Sequence, residues 1–187
     1  MNYLLAKNIF DIIFSLCLLL ITLPILIVSI ILIKLETKGS IFFIQERVGK
    51  NGVIFKIFKL RTMKQNNKQN KGQVFLENSD VTRVGFYLRR FKVDELPQIF
   101  NILLGQMSII GPRPCLPSLL ETFDKNAKLR LKVKPGLTGW SQVNGNIYNS
   151  WSKRWELDKY YVENLSFFLD LRIFISTISV IFLGEKK

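Results

Sequence analysis

Asp94-Glu95-Leu96-Pro97-Gln98 holds the only two adjacent carboxylates in the chain and follows the cations Arg89, Arg90 and Lys92. No histidine occurs anywhere, which removes Ser-His-Asp and Cys-His catalysis and histidine-ligated metal sites. Carboxylate is what remains for covalent or metal-assisted chemistry. It attacks phosphorus or carbon as a nucleophile, and it is the natural protein ligand of Mg²⁺. The same residues also read as plain local structure. Asp ahead of an apolar-periodic run is a common helix N-cap, and Glu is favoured in the first turn by the helix dipole. Leu96, Ile99, Phe100 and Leu103 fall at helical spacing, so both readings predict a helix starting near Asp94.

Neither G-x-x-x-x-G-K-S/T nor G-x-G-x-x-G is present. Phosphate binding would therefore fall to side-chain cations and local backbone N–H groups. Lys59, Arg61, Arg89, Arg90 and Arg113 are available, and a planar guanidinium suits bidentate phosphate recognition. The ordinary fate of such residues is a solvated surface. Arg113 departs from it, because Gly111-Pro112-Arg113-Pro114 fixes φ on both sides and forbids helix.

A small α/β body must position these groups. Residues 41–44 and 53–58 read as two strands around the turn Gly49-Lys50-Asn51-Gly52, a β-hairpin from which Lys56, Lys59 and Arg61 project. Residues 64–73 are polar and aperiodic, a surface loop. Helices are expected over 81–91, 116–131 and 151–163, with a Gly-rich irregular segment at 134–145. No internal repeat or interdomain linker is visible.

Charge and hydropathy frame the partner. With 27 Lys+Arg against 14 Asp+Glu, the net charge is +13 and the pI about 9.9, which suits nucleic acid, anionic headgroups or phosphorylated small molecules. Yet 48% of residues are hydrophobic, fifteen are Phe, and mean hydropathy is +0.20, which argues against a purely soluble nucleic-acid binder. Cys17 and Cys115 form no C-x-x-C pair, so neither a disulfide framework nor a thiolate metal site is expected.

Residues 9–33 are almost unbroken apolar, with Asp11 their only charge. As helix they would run about 38 Å, enough to cross a hydrocarbon core of about 30 Å. Lys7 precedes them, Lys34 and Lys38 follow, and Pro24 sits past the middle. A single span is the simpler reading; a helix kinked at Pro24 with both basic ends on one face is the alternative. A second apolar stretch, 165–183, carries Asp170 and Arg172 and reads either as an amphipathic surface helix or as a core helix.

Taken together, the motifs resemble one family. Their order is the Pro-containing apolar segment, F-K-L-R-T-M from Phe58, R-R-F-K-V-D-E-L-P-Q from Arg89, N-I-L-L-G-Q-M-S-I-I-G-P-R-P from Asn101, and K-P-G-L-T-G-W-S-Q-V-N-G from Lys134. They are similar to the bacterial sugar transferases that are small monotopic phosphoglycosyl transferases. The resemblance implies an α/β, mostly helical protein: a re-entrant membrane helix at residues 1–38 and a catalytic domain at 39–187 ending in an interfacial amphipathic helix. It implies transfer of a sugar 1-phosphate from a UDP-sugar to undecaprenyl phosphate, with release of UMP and with Mg²⁺ as cofactor. This is a first membrane step of surface glycan synthesis on the cytoplasmic face of the bacterial inner membrane, with no nucleic-acid partner.

For the site, the resemblance implies Asp94 as nucleophile and Mg²⁺ ligand, with Glu95 as the second catalytic carboxylate. Lys59, Arg61, Arg89, Arg113, Gln142 and Asn144 would contact phosphate or substrate, and Pro24 would kink the membrane helix. One departure stands out: after Val143-Asn144-Gly145 relatives commonly carry Arg, where this chain has Asn146. Either a donor-binding cation is missing here or another residue supplies it, for example Lys153 or Arg154. Without the resemblance, the rivals are a membrane-tethered binder of nucleic acid or anionic lipid and a non-catalytic scaffold; neither gives Asp94-Glu95 a role.

Overall fold

The computed structural model describes residues 3–64 and 79–183; the loop expected at 64–73 lies outside them, Lys64 apart. In chain order the elements are α1 (Tyr3–Glu36), β1 (Phe42–Val48), β2 (Ile54–Leu60), α2 (Arg83–Arg90), a 3₁₀ turn Val93–Gln98 running into α3 (Ile99–Leu103), and β3 (Ser108–Ile110). A 3₁₀ segment Pro117–Thr122, α4 (Lys125–Leu129), β4 (Gly136–Thr138), α5 (Trp140–Val143), α6 (Trp151–Glu163) and α7 (Phe167–Leu183) follow.

Helix α1 is built inside out. Its buried stripe is largely polar (Asp11, Ser15, Thr22, Ser29, with Leu26 and Ile33). Its outward face carries Leu5, Phe10, Ile13, Leu20, Ile21 and Leu35, each more than half exposed. A helix packed on a water-soluble body shows the opposite arrangement. Thr22 and Ser29 donate to the carbonyls of Leu18 and Ile25 one turn back, which satisfies their hydroxyls without water. The helix runs unbroken through Pro24, whose missing N–H leaves the Leu20 carbonyl without its helical donor.

Both ends of α1 are fastened to the body. Near its start, Tyr3 Oη and Lys7 Nζ reach Asp170 Oδ2 of α7 at 2.5 and 2.6 Å, and Asp11 Oδ1 accepts from the Ile109 N–H at 3.0 Å. At its end, Glu36 caps α2 by accepting from the N–H groups of Arg83 and Val84. Arg61 donates to the Thr37 and Lys38 carbonyls just beyond.

The hairpin forms as the pattern predicts, with Phe43 opposite Lys59 and Ile44 opposite Phe58. Two other expectations are corrected. The single helix expected over 116–131 is broken into the 3₁₀ segment Pro117–Thr122, α4 and a final 3₁₀ turn Arg130–Lys132. Asp124 starts the chain afresh there, its carboxylate accepting from the Ala127 N–H at 2.7 Å. The segment 134–145 is not irregular: β4 pairs in parallel with β3, and α5 follows directly. Three glycines make that pairing possible. A Cβ on Gly111 would lie 2.5 Å from the Lys134 carbonyl oxygen, one on Gly136 2.1 Å from the Gly111 nitrogen, and one on Gly139 2.0 Å from the Gly111 oxygen. Three-residue strands are too short to show a period in the sequence.

Ile57, Ile102, Met107, Tyr161 and Ile173 form the main core, and Leu26, Ile33, Leu60 and Leu88 seal α1 against β2 and α2. In α7 the two charges part company. Asp170 is buried in its ion pair, Arg172 lies over the Trp140 ring, and Phe168, Ile175, Phe182 and Leu183 face outward.

Candidate functional site

Proline decides the shape of the central turn. Pro97 has no N–H to give an α-helical bond, so Val93–Gln98 winds as 3₁₀ before α3 begins. The turn does not start at Asp94. Its cap is Lys92, held in the left-handed region at φ 58, and Asp94 and Glu95 occupy the first turn. At three residues per turn, neighbours point about 120° apart. The two adjacent carboxylates therefore enter different surroundings.

Glu95 is clamped. Lys59 Nζ from β2 and Arg113 Nη2 from the loop after β3 meet its Oε1 at 2.6 and 2.7 Å, and Arg113 Nη1 lies 3.3 Å from Oε2. Burial alone would raise its pKa, but the charges of Arg113 and Lys59 outweigh it and hold the carboxyl well below the usual range. Asp94 is as deeply buried, yet no group among the described residues hydrogen-bonds its carboxylate. Burial and the Glu95 charge push it up to about 6, against the pull of Lys59, Arg89 and Lys92. One turn thus presents an anion locked in place beside an anion held ready.

The supports can be traced. Asn101 of α3 is fully buried; it donates to the Lys56 carbonyl and accepts from the Phe58 N–H, which registers the turn against β2 and brings Lys59 under Glu95. Arg89 Nε donates to Thr62 Oγ1 at 2.8 Å, and the charges of Asp94 and Glu95 act on its guanidinium. Of the residues singled out from the sequence, the structure gathers Asp94, Glu95, Lys59, Arg89 and Arg113. Arg61 is instead buried against the end of α1. Gln142 is buried on α5 and donates to the Leu137 carbonyl, while exposed Asn144 donates to the Trp140 carbonyl; neither bonds the dyad. Asn146 is buried at φ 40. Arg154 holds the carbonyls of Ile147 and Asn149, and Lys153 pairs with Glu156 at the surface.

Sequence reading missed Asn101, Arg130, Asp158 and Tyr161. A signal existed for two of them: Arg154, Asp158 and Tyr161 sit at i, i+4 and i+7, so polar groups hold the buried face of α6.

Among the described residues no three ligating side chains gather as a metal cage. Mg²⁺ rarely needs one; it binds through one or two carboxylates, with substrate phosphates and water completing its shell. The unpartnered Asp94 carboxylate fits that style of binding.

Comparison with known proteins adds the family. The model of the family described as "Bacterial sugar transferase" matches residues 2–184. The chain belongs to the bacterial sugar transferases. Bacterial sugar transferases similar to it include the "Uncharacterized sugar transferase EpsL" of Bacillus subtilis (strain 168), 38% identical over 96% of this chain and 88% of that protein. The "UDP-N-acetylgalactosamine-undecaprenyl-phosphate N-acetylgalactosaminephosphotransferase" of Aeromonas hydrophila is 41% identical over 86% of this chain. The "UDP-glucose:undecaprenyl-phosphate glucose-1-phosphate transferase" of Escherichia coli (strain K12) is 37% identical over 93% of it. The chain spans only 40% and 39% of those last two proteins. As a bacterial sugar transferase of this kind it is an enzyme, a phosphoglycosyl transferase.

Proposed function

We propose that this transferase moves a sugar 1-phosphate from a UDP-sugar to undecaprenyl phosphate, releasing UMP, through a covalent phosphosugar on Asp94. The observation that carries the reading is the opposite condition of two adjacent carboxylates. Glu95 is neutralised by Lys59 and Arg113, while Asp94 is buried, unpartnered among the described residues and raised to about 6. A buried carboxylate without a partner is costly, and such residues concentrate at functional sites. At neutral pH Asp94 is largely ionised and poorly solvated, which is the state of a competent nucleophile.

In the first step an Asp94 oxygen attacks the phosphorus that bears the sugar, and the bond to the bridging oxygen breaks with its electrons leaving on UMP. In the second an oxygen of the lipid phosphate attacks the same phosphorus and returns Asp94 as carboxylate. Arg113 keeps 39% of its side chain exposed while engaged with Glu95, which leaves its charge within reach of the donor diphosphate; Arg89 and Lys59 add positive charge. Mg²⁺, held by Asp94 together with the diphosphate, would neutralise charge on the leaving group. Splitting the reaction in two suits a soluble donor and a lipid acceptor, which need not bind together.

The lipid substrate fits the rest of the molecule. The inverted polarity of α1 suits a lipid surround, and the fastening of both its ends to one body supports a re-entrant helix; the Lys and Arg excess of that body favours the cytoplasmic face. The apolar outer face of α7 suits the bilayer interface. The test is UMP release in membranes against a panel of UDP-sugars with undecaprenyl phosphate. Turnover should require both substrates; no release with any donor would overturn the reading. For topology, a cysteine placed at Leu4 should resist an impermeant maleimide applied from outside intact cells, and efficient labelling there would support a full span instead.

A further inference from the structure

Arg113 reaches Glu95 from a segment that holds itself by unusual means. Prolines at 112 and 114 remove two of its backbone donors, so its carbonyls carry the fixing. Four in succession are taken. Pro112 O accepts from the Gly136 N–H at 2.9 Å, Arg113 O from Arg130 Nη2, Pro114 O from Arg47 Nη1 at 3.3 Å, and Cys115 O from the Val48 N–H at 3.0 Å.

The bond to Arg113 itself differs in kind from the others, because its donor belongs to a buried ion pair. Arg130 lies 3.3 Å from Asp158 Oδ2 of α6, with side chains 6% and 3% exposed. The Arg130 guanidinium also sits 5.7 Å from the Phe123 ring, and Phe123 packs edge-on against Trp155. Carboxylate and aromatic ring together hold the guanidinium, and the same Nη2 that faces Asp158 donates to the Arg113 carbonyl. A buried pair of this kind gains little net stability over an apolar pair of equal volume. What it supplies here is direction.

We propose that Arg130 and Asp158 are positioning residues for Arg113, holding the peptide from which its guanidinium addresses the donor phosphates. The inference rests on the reading of Arg113 as a donor-binding cation and extends the site through α6. Asp158 and Arg130 touch neither substrate nor the dyad; they act through one carbonyl. Lysine at 130 would keep the charge beside Asp158 but replace a planar guanidinium, held over the Phe123 ring with its Nη2 facing carboxylate and carbonyl at once, by an ammonium on a flexible stem.

The experiment is a double-mutant cycle read in donor kinetics with the full-length protein in membranes, alongside thermal unfolding of each variant. Arg130→Lys in the wild-type background should raise KM for the UDP-sugar about tenfold while kcat changes less than about twofold. In an Arg113→Ala background the same substitution should change KM by less than about twofold, because the side chain it positions is gone. Asp158→Asn, which keeps shape and an acceptor for Arg130, runs the same cycle if Arg130→Lys does not fold, and should give a smaller rise in the same direction. An equal KM rise in both backgrounds overturns the proposal, as does a lowered unfolding temperature with KM unmoved. If Arg113→Ala alone leaves KM unchanged, the reading of Arg113 itself fails, a result distinct from either.

Discussion

Two buried clusters in this transferase look alike and behave differently. Around Asp170, at the foot of α1, Tyr3 and Lys7 fill one carboxylate oxygen, and Tyr161 lies 2.9 Å from the other. Around the dyad, Glu95 is filled in the same way by Lys59 and Arg113, but Asp94 beside it is left without a partner among the described residues. A satisfied buried carboxylate ties elements together, here α1 to α7 and α6. An unsatisfied one, kept beside another negative charge, is a standing cost to the fold that chemistry justifies. The comparison predicts that mutations will separate stability from turnover in opposite senses at the two places.

The largest effect belongs to Asp94→Asn. Turnover should fall by about three orders of magnitude or more, since the proposed nucleophile is lost. Stability should move the other way. The folded pKa of Asp94 lies near 6, above its ordinary value of 3.8. The proton it gains on folding stabilises the protein below about pH 4, and that contribution is lost as pH rises through 6. At about pH 8 the Asn variant should therefore be more stable than wild type by about 1–3 kcal/mol, with the difference closing below about pH 4. Thermal unfolding across pH checks both the sign and the window.

Asp170→Ala should show the reverse pattern. Removing that carboxylate strands the Lys7 charge and the Tyr3 hydroxyl in a buried place, at a cost of about 3–5 kcal/mol. Folded yield should drop, while the protein that remains should still give the burst of about one UMP per enzyme expected of a covalent first step. If folded yield were unchanged and the burst lost, the comparison would break, because Asp170 would then belong to the chemistry.

Glu95→Gln is next. It leaves Lys59 and Arg113 without their anion, and turnover should fall about a hundredfold. It also removes a charge that raises the pKa of Asp94. The acid limb of the pH–rate profile should shift to lower pH; a shift upward would contradict the clamp. Arg113→Lys should have the smallest catalytic effect, about tenfold in kcat/KM for the donor, because charge survives and the planar fork does not.

Much of this was legible before the fold, though unevenly. The hairpin announced itself because its strands are seven residues long and its turn chemistry is plain. The dyad stood out because no other adjacent carboxylates exist. The 3₁₀ winding that separates Asp94 from Glu95 was hidden because helical spacing beyond Pro97 masked the proline's effect before it. That Arg61 binds the carbonyls at the end of α1 was not legible, because sequence gives the charge of a side chain and not whether a helix end lies within its reach. The β3–β4 pairing and the Arg130–Asp158 link depend on contacts between distant segments, which no local pattern carries.

A covalent bond to Asp94 would leave a direct trace in the mass of the enzyme. Enzyme in membranes should be mixed with an accepted UDP-sugar and no lipid acceptor, then quenched and examined by intact and peptide mass spectrometry. About one UMP should be released per enzyme, with one sugar-phosphate of added mass mapped to Asp94 and absent from Asp94→Asn. An adduct on Glu95, or one that survives in Asp94→Asn, would contradict Asp94 as the nucleophile.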